Sequence, residues 1–211
     1  MSVYDFKPRF QAILRPLSNG LARMGVTANA VTLAAIFGSV AVGWADAFAW
    51  AWPPILLLLP AWLFVRMALN AIDGMLAREH GMKTRLGGVL NEVGDVVSDT
   101  ALYLPLSSFT PGVLWPVVFF TIGAALTEFC GLLGQALGGA RRYDGPMGKS
   151  DRAFLVGALA LATFVVPSLY KVWPWVFWLA AAGPERAERQ RRTHVTTVSA
   201  AANQKTQGHT L

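Results

Sequence analysis

Apolar and polar positions fall in blocks along this chain, and the blocks predict helices. Phe6, Phe10, Ile13, Leu14 and Leu17 recur with Lys7, Arg9 and Arg15 between them, followed by Leu21 and Arg23. That spacing predicts an amphipathic helix lying in the lipid headgroup layer within residues 1–26, restarted after Asn19-Gly20. Thr27 or Asn29 is placed to cap a first spanning helix, whose apolar residues run from Ala30 to about Trp50. Asp46 sits near the outer end of that run, where a solvated carboxylate is expected. A second run starts after Pro53-Pro54, which suit a first helical turn, and continues through Leu56–Leu59, Trp62 and Val65.

The inner end of the second run turns polar on one face. Arg66, Asn70, Asp73 and Ala77 recur at helical spacing. The third run, with Val89, Leu90, Val96, Val97 and Leu102, carries Gly87, Asn91, Asp95 and Asp99, each one turn after the last. Two such flanks facing each other make one polar pocket, so the stretch from Asn70 to Asp99 organises the rest. A fourth run, about Val113 to Leu137, holds Glu128 and the series Gly131, Gly134, Gly138, a spacing that permits close helix approach. Glu128 in mid-helix needs a partner, either a structural ion pair or a substrate. A turn-rich basic loop, Arg141 to Arg152, leads into a fifth run, Ala153 to Val166. The sixth, Val172 to Ala182, falls short of the ~20 residues a span requires.

Composition turns this pattern into a class. In 211 residues, 54% are hydrophobic and only 14% charged, with eight Trp and twelve Phe; the mean hydropathy is +0.44. The expected fold is all-α, a polytopic membrane bundle of about six transmembrane helices with an N-terminal interfacial helix. Its expected divisions are an interfacial segment 1–26, a transmembrane domain 27–182 and a polar, disordered cytoplasmic tail 183–211. The net charge of +6 does not imply nucleic acid, because the basic residues lie in short clusters between apolar runs. Lys7, Arg9, Arg15 and Arg23, then Arg78, Lys83 and Arg85, then Arg141, Arg142, Lys149 and Arg152 alternate with loops that carry no Lys or Arg until Lys171. By the positive-inside rule both termini and the polar pocket face the cytoplasm, in a multi-pass plasma-membrane (bacterial cytoplasmic membrane) protein. Trp44, Trp50, Trp52, Trp115, Trp173 and Trp175 then form an outer aromatic belt. The single cysteine, Cys130, reads as a small buried hydrophobe, and charged residues near the start leave no room for a cleavable signal peptide.

Carboxylate and carboxamide oxygens on adjacent helix faces are hard ligands, suited to Mg²⁺ or Mn²⁺ with phosphate as co-ligand. Gly74 and Ala77 remove bulk beside Asp73, and Arg78 offers a planar donor fork that matches phosphate. Metal, phosphate and an open wall point to phosphoryl transfer at the membrane surface.

The residues also carry a resemblance. Asp73-Gly74-x-x-Ala77-Arg78, eight residues, Gly87, three residues, Asn91, three residues, Asp95 is similar to the signature of the CDP-alcohol phosphotransferases, D-x-x-D-G-x-x-A-R-x8-G-x3-D-x3-D. Asn70 and Asn91 stand at two of its four aspartate positions. The resemblance implies metal ligation by Asn70, Asp73, Asn91 and Asp95, with Asp95 also the general base, and one or two Mg²⁺ or Mn²⁺ ions. It implies a nucleotide and phosphate wall of Gly74, Ala77, Arg78 and Gly87. Gly148-Lys149 resembles a basic segment of the family, which makes Lys149, with Arg141 and Arg152, a candidate for binding an anionic group of acceptor or lipid. The implied reaction moves a phosphatidyl or similar group from a CDP-alcohol such as CDP-diacylglycerol to an alcohol acceptor and releases CMP; a homodimer is implied as well. With two formal charges gone, metal affinity falls or one ion binds, and Glu92 and Asp99 stand near enough to compensate. The alternative is a silent relative that binds a nucleotide lipid or a membrane partner. An ion transporter using Asp73, Asp95 and Glu128 is least supported, since no pair of similar halves is visible.

Overall fold

The computed structural model describes residues 3–136 and 148–182. Arg141 and the tail from residue 183 lie outside the described residues. Among those described, every regular element is helical.

Helix α1, Val3–Arg23, runs unbroken through Asn19 and Gly20, so the expected restart does not occur. The reason is tertiary. Asn19 Oδ1 meets His80 Nε2 at 3.1 Å, while Leu14, Leu21 and Ala22 pack against a buried cluster of Ala28, Val31, Ile72 and Leu76. Packing on both sides of Gly20 outweighs its intrinsic cost in a helix. The chain stops instead at Gly25, whose φ of +78° is open to glycine. There Val26 N–H donates to Leu21 O and Gly25 N–H to Ala22 O, a Schellman turn. Arg15 grips Glu79 through two bonds of 3.2 and 3.0 Å, which fixes α1 across the end of the third helix.

Helix α2, Ala28–Asp46, is capped by Thr27, whose Oγ1 accepts from Ala30 N–H at 3.2 Å. It packs along both α3, Leu58–Glu79, and α4, Arg85–Tyr103. Gly43 makes the second contact: a Cβ there would lie 1.8 Å from the carbonyl oxygen of Ala101. Gly43→Ala therefore has to push two helices apart and is expected to cost about 1–3 kcal/mol, the usual range for overpacking. Thermal melts in detergent check this against Gly123→Ala, where an added Cβ meets nothing within 4 Å.

A 3₁₀ turn, Pro53–Leu57, starts the approach to α3, as the two prolines predict. Another, Leu104–Ser108, closes α4. Helix α5 spans Leu114–Ala136 and α6 Lys149–Val165. A third 3₁₀ turn, Pro167–Val172, leads to a last helix, α7, over residues 173–182. The main core joins Leu59, Leu63, Leu102, Tyr103, Phe120 and Phe177.

Three expectations change here. Asp46 is 1% exposed, and neither of its carboxylate oxygens has a hydrogen-bond partner among the described residues. The end of α2 packs under the Leu104–Ser108 turn, whose Ser108 Oγ donates to Ala47 O at 3.3 Å, instead of reaching solvent. Trp173 is fully buried and donates through Nε1 to Thr163 Oγ1 at 2.9 Å; it belongs to the core, whereas Trp44, Trp50, Trp52, Trp115 and Trp175 are exposed as a belt requires. Cys130 is exposed on α5, and an added Cβ at Gly131 meets nothing within 4 Å, so this face of α5 packs against no other part of the described chain.

Among the described residues, three helices are long and apolar enough to cross a membrane: Ala28–Asp46, Pro53–Glu79 and Leu114–Leu133. Helix α4 carries the polar flank, α6 has 17 residues, and α7 remains as short as its sequence. Large apolar side chains such as Phe37, Phe64, Phe119 and Leu126 face outward, the reverse of a water-soluble surface and the ordinary surface of a bundle in lipid.

Candidate active site

The two polar flanks meet. Arg66 on α3, 3% exposed, reaches across to α4 with both terminal nitrogens. Its Nη1 donates to Asp99 Oδ1, and its Nη2 lies 3.2 Å from the backbone oxygen of Asp95 and 3.4 Å from Asp95 Oδ1. Lys149, the first residue of α6, places Nζ on the same Asp95 oxygen. Its position is set by the helix start, where Asp151 Oδ2 accepts from Gly148 N–H at 3.1 Å. Beyond Asp99 comes Arg152, also 3% exposed, with Nη2 3.5 Å from Asp99 Oδ2 and 2.8 Å from Glu128 Oε1. Its Nη1 donates to Thr127 Oγ1 at 2.9 Å.

The result is a ladder of alternating charge, Lys149, Asp95, Arg66, Asp99, Arg152, Glu128, linking α6, α4, α3 and α5. Four of the six, Arg66, Asp99, Arg152 and Glu128, are buried, which is affordable only because each has an opposite neighbour. Glu128, left between ion pair and substrate contact, is an ion-pair member. Asp99 is engaged by two arginines and is not a spare carboxylate for a metal. Glu92 is buried as well.

Asp73 is held differently. Its Oδ2 accepts from Thr32 Oγ1 of α2 at 3.0 Å, so a hydroxyl and not a cation orients it. It lies within electrostatic reach of both Asp95 and Lys149. Asn70 and Asn91 are half-buried on the same two helices. One turn below Asp73, the Arg78 guanidinium lies over Gly74, where an added Cβ would come within 2.9 Å of it. Ala77 packs beside the cluster around Ile72 and Leu76. At Gly87 a Cβ would come 2.6 Å from Asn29 Oδ1 and 2.9 Å from Thr84 Oγ1; glycine there lets α2 and the Thr84 cap of α4 close on each other.

Of the residues expected in the site, Lys149 and Asp95 are brought into contact, while Asp73 and Asn70 lie on the α3 flank and Asn91 on the α4 flank. Arg78 is exposed at the C-terminal end of α3. Arg152 is turned inward to Glu128 and Thr127, away from any open anion site. Three contributors escaped sequence reasoning: Arg66 as the bridge between flanks, Thr32 as the support of Asp73, and Asn29 against Gly87. A polar residue inside an otherwise apolar run was the available signal for Thr32.

The donor set sets limits on a metal. Among the described residues, no three Asp, Glu, His or Cys side chains gather around a common point. Asp73 and Asp95, with carboxamide oxygens from Asn70 and Asn91, suit a hard cation that takes its remaining ligands from water and substrate phosphate, as Mg²⁺ does. They do not supply the charge for two divalent ions.

No protein-family model matches the chain. The chain is 48% identical over 181 residues to the inner membrane protein YnbA of Escherichia coli, covering 86% of this chain and 89% of that one. It is 37% identical over 114 residues to the phosphatidylinositol phosphate synthase of Mycobacterium marinum, covering 52% of this chain and 42% of the relative; the match thus spans less than half of that enzyme. Among solved structures, the phosphatidylinositol phosphate synthase PgsA1 of Mycobacterium tuberculosis with CDP-DAG bound superposes with a TM-score of 0.72 at 22% identity, over 86% of this chain and 92% of the other. The same enzyme in complex with manganese and citrate gives 0.71 at 23% identity, over 86% and 88%. At that identity the structural likeness speaks for the fold.

Proposed function

The chain belongs to the CDP-alcohol phosphatidyltransferase family, and from that premise we propose that it is an integral-membrane transferase moving a phosphatidyl or similar substituted phosphate from a CDP-alcohol to an alcohol. CDP-diacylglycerol is the proposed donor. The acceptor oxygen forms a new bond to phosphorus, the bond from that phosphorus to the CMP oxygen breaks, and CMP leaves. The observation that carries the reading is the contact of Lys149 with Asp95 across α6 and α4, with Arg66 of the α3 flank that carries Asp73 bridging to the same Asp95, on a motif whose spacing agrees with the family at every glycine, alanine and arginine position.

In this reading Asp73 and Asp95 hold a divalent cation, Mg²⁺ or Mn²⁺, with amide oxygens of Asn70 and Asn91. When bound, the cation neutralises pyrophosphate charge and stabilises the leaving phosphate. Asp95 accepts the proton of the acceptor hydroxyl as the new bond forms. Thr32 orients Asp73, and Arg66 orients Asp95 through its backbone oxygen and carboxylate. Gly74 lets the Arg78 guanidinium lie against α3, where it meets phosphate, Gly87 lets α2 and the Thr84 cap of α4 close beside the nucleotide, and Lys149 carries positive charge toward Asp95. Arg141, outside the described residues, is a further candidate for lipid or acceptor phosphate by its charge. The Lys and Arg clusters support a cytoplasmic orientation of site and termini, and the uncovered face of α5 is compatible with a homodimer.

CMP release from CDP-diacylglycerol, followed over a panel of alcohols with Mg²⁺ or Mn²⁺, tests the proposal. Turnover with at least one alcohol, lost on chelation, is expected. No turnover with any alcohol by folded protein overturns it. The second reading, a silent binder of nucleotide lipid, draws on Asn70 and Asn91; a large gain of activity in Asn70→Asp/Asn91→Asp favours it, and a loss favours a site tuned to its amides.

A further inference from the structure

Lys149 stands beside Asp95, one of the four positions that the family resemblance makes metal ligands. Its ammonium contacts Asp95 Oδ1, and the same oxygen has Arg66 Nη2 at 3.4 Å. The lysine side chain is 26% exposed and the aspartate 13%, so water screens the contact only in part. The lysine opens α6, behind the bond from Gly148 N–H to Asp151 Oδ2. Asp73, the other retained carboxylate, is held by Thr32 Oγ1 at 3.0 Å on the α3 flank. The site thus contains two carboxylates, two carboxamides and one ammonium. A dication bound at the Lys149 side of Asp95 would share a carboxylate oxygen with that ammonium and be repelled by it.

We propose that Lys149 is a resident cation of the site: its ammonium takes the place beside Asp95 of a second divalent ion, and the chain binds one divalent cation, on the Asp73 side. Asn70 and Asn91 are the counterpart of this arrangement. Four carboxylates match the charge of two divalent ions; two carboxylates match one, and the ammonium faces the additional negative charge of the nucleotide lipid. A lysine supplied by the fold needs no filling from solution, so the positive charge beside Asp95 is present before any ion arrives. The inference rests on the transferase reading and specifies how its site is charged.

The test is Mn²⁺ binding to the full chain in nanodiscs with CDP-diacylglycerol, counted by electron paramagnetic resonance. The wild-type chain is expected to take up one Mn²⁺ with the spectrum of an isolated ion. Lys149→Gln is expected to bind Mn²⁺ at least about tenfold more tightly, because a unit positive charge a few ångströms away is gone. Asn70→Asp/Asn91→Asp is expected to stay at one ion while Lys149 is present and to reach two, with a spin-coupled spectrum, when Lys149→Gln is added. Two ions in the wild-type chain, or two in the Asp pair with Lys149 intact, overturn the resident lysine and leave the transferase reading standing. No Mn²⁺ uptake by folded wild-type protein overturns both. Lys149→Gln that weakens CDP-diacylglycerol binding without changing Mn²⁺ affinity assigns the lysine to substrate alone and also overturns the proposal.

Discussion

Asp95→Asn is expected to lower the maximal rate of CMP release by about 10²–10⁴-fold, the contribution typical of a positioned general base. The substitution is nearly isosteric. It keeps an oxygen for Arg66 and Lys149 to approach and removes the charge that accepts the hydroxyl proton. The loss should therefore appear mainly in kcat, with the KM for CDP-diacylglycerol changing little, the pattern of an interaction made in the transition state. Asp99→Asn is the matched control. Asp99 lies one turn further along α4, but its oxygens go to Arg66 and Arg152, so its loss is expected to lower Tm more than kcat. A fall of less than about tenfold in Asp95→Asn would remove the base role. Equal kinetic losses at both positions would mean that the ladder, and not proton transfer, sets the rate.

Much of this architecture was legible before any coordinates, and what was hidden has a common cause. Periodicity locates a helix because burial repeats with the helical turn, and α2 to α5 fall where the apolar runs place them. The motif stretch was legible because ionisable groups in apolar surroundings stand out. Periodicity says which face of a helix is special but not what faces it. Arg66 was visible as a member of a polar flank; that it spans to both Asp95 and Asp99 depends on how α3 and α4 lie together. Glu128 was visible as a residue in need of a partner, and the partner proved to be Arg152, reached across α5 and α6. Asp46 and Trp173 illustrate the same limit at the opposite end of the bundle. Each sits where an interfacial position is the ordinary expectation, and each is buried because a 3₁₀ turn or the short helix α7 packs over the bundle end. Asn19-Gly20 has the local signature of a break and no break, because contacts made by Leu14, Leu21 and Asn19 with the rest of the chain exceed the local preference.

Arg66→Met carries the largest expected stability effect. The arginine is 3% exposed and serves two carboxylates. Removing one partner of a buried pair strands the other, at a typical cost of about 3–5 kcal/mol, or roughly 10 °C in Tm for a chain of this length. The same reasoning makes Arg66→Met/Asp99→Leu more stable than Arg66→Met alone. The double change removes the carboxylate that the first change strands, and Arg152 keeps Glu128 and Thr127. Comparison of the two melts isolates the coupling between Arg66 and Asp99. Activity should not return with stability. In the double variant Asp95 retains Lys149 but has lost the guanidinium that held both its carboxylate and its backbone oxygen. A well-folded double variant with low kcat would identify Arg66 as a positioning residue for Asp95; full activity would confine it to holding α3 against α4.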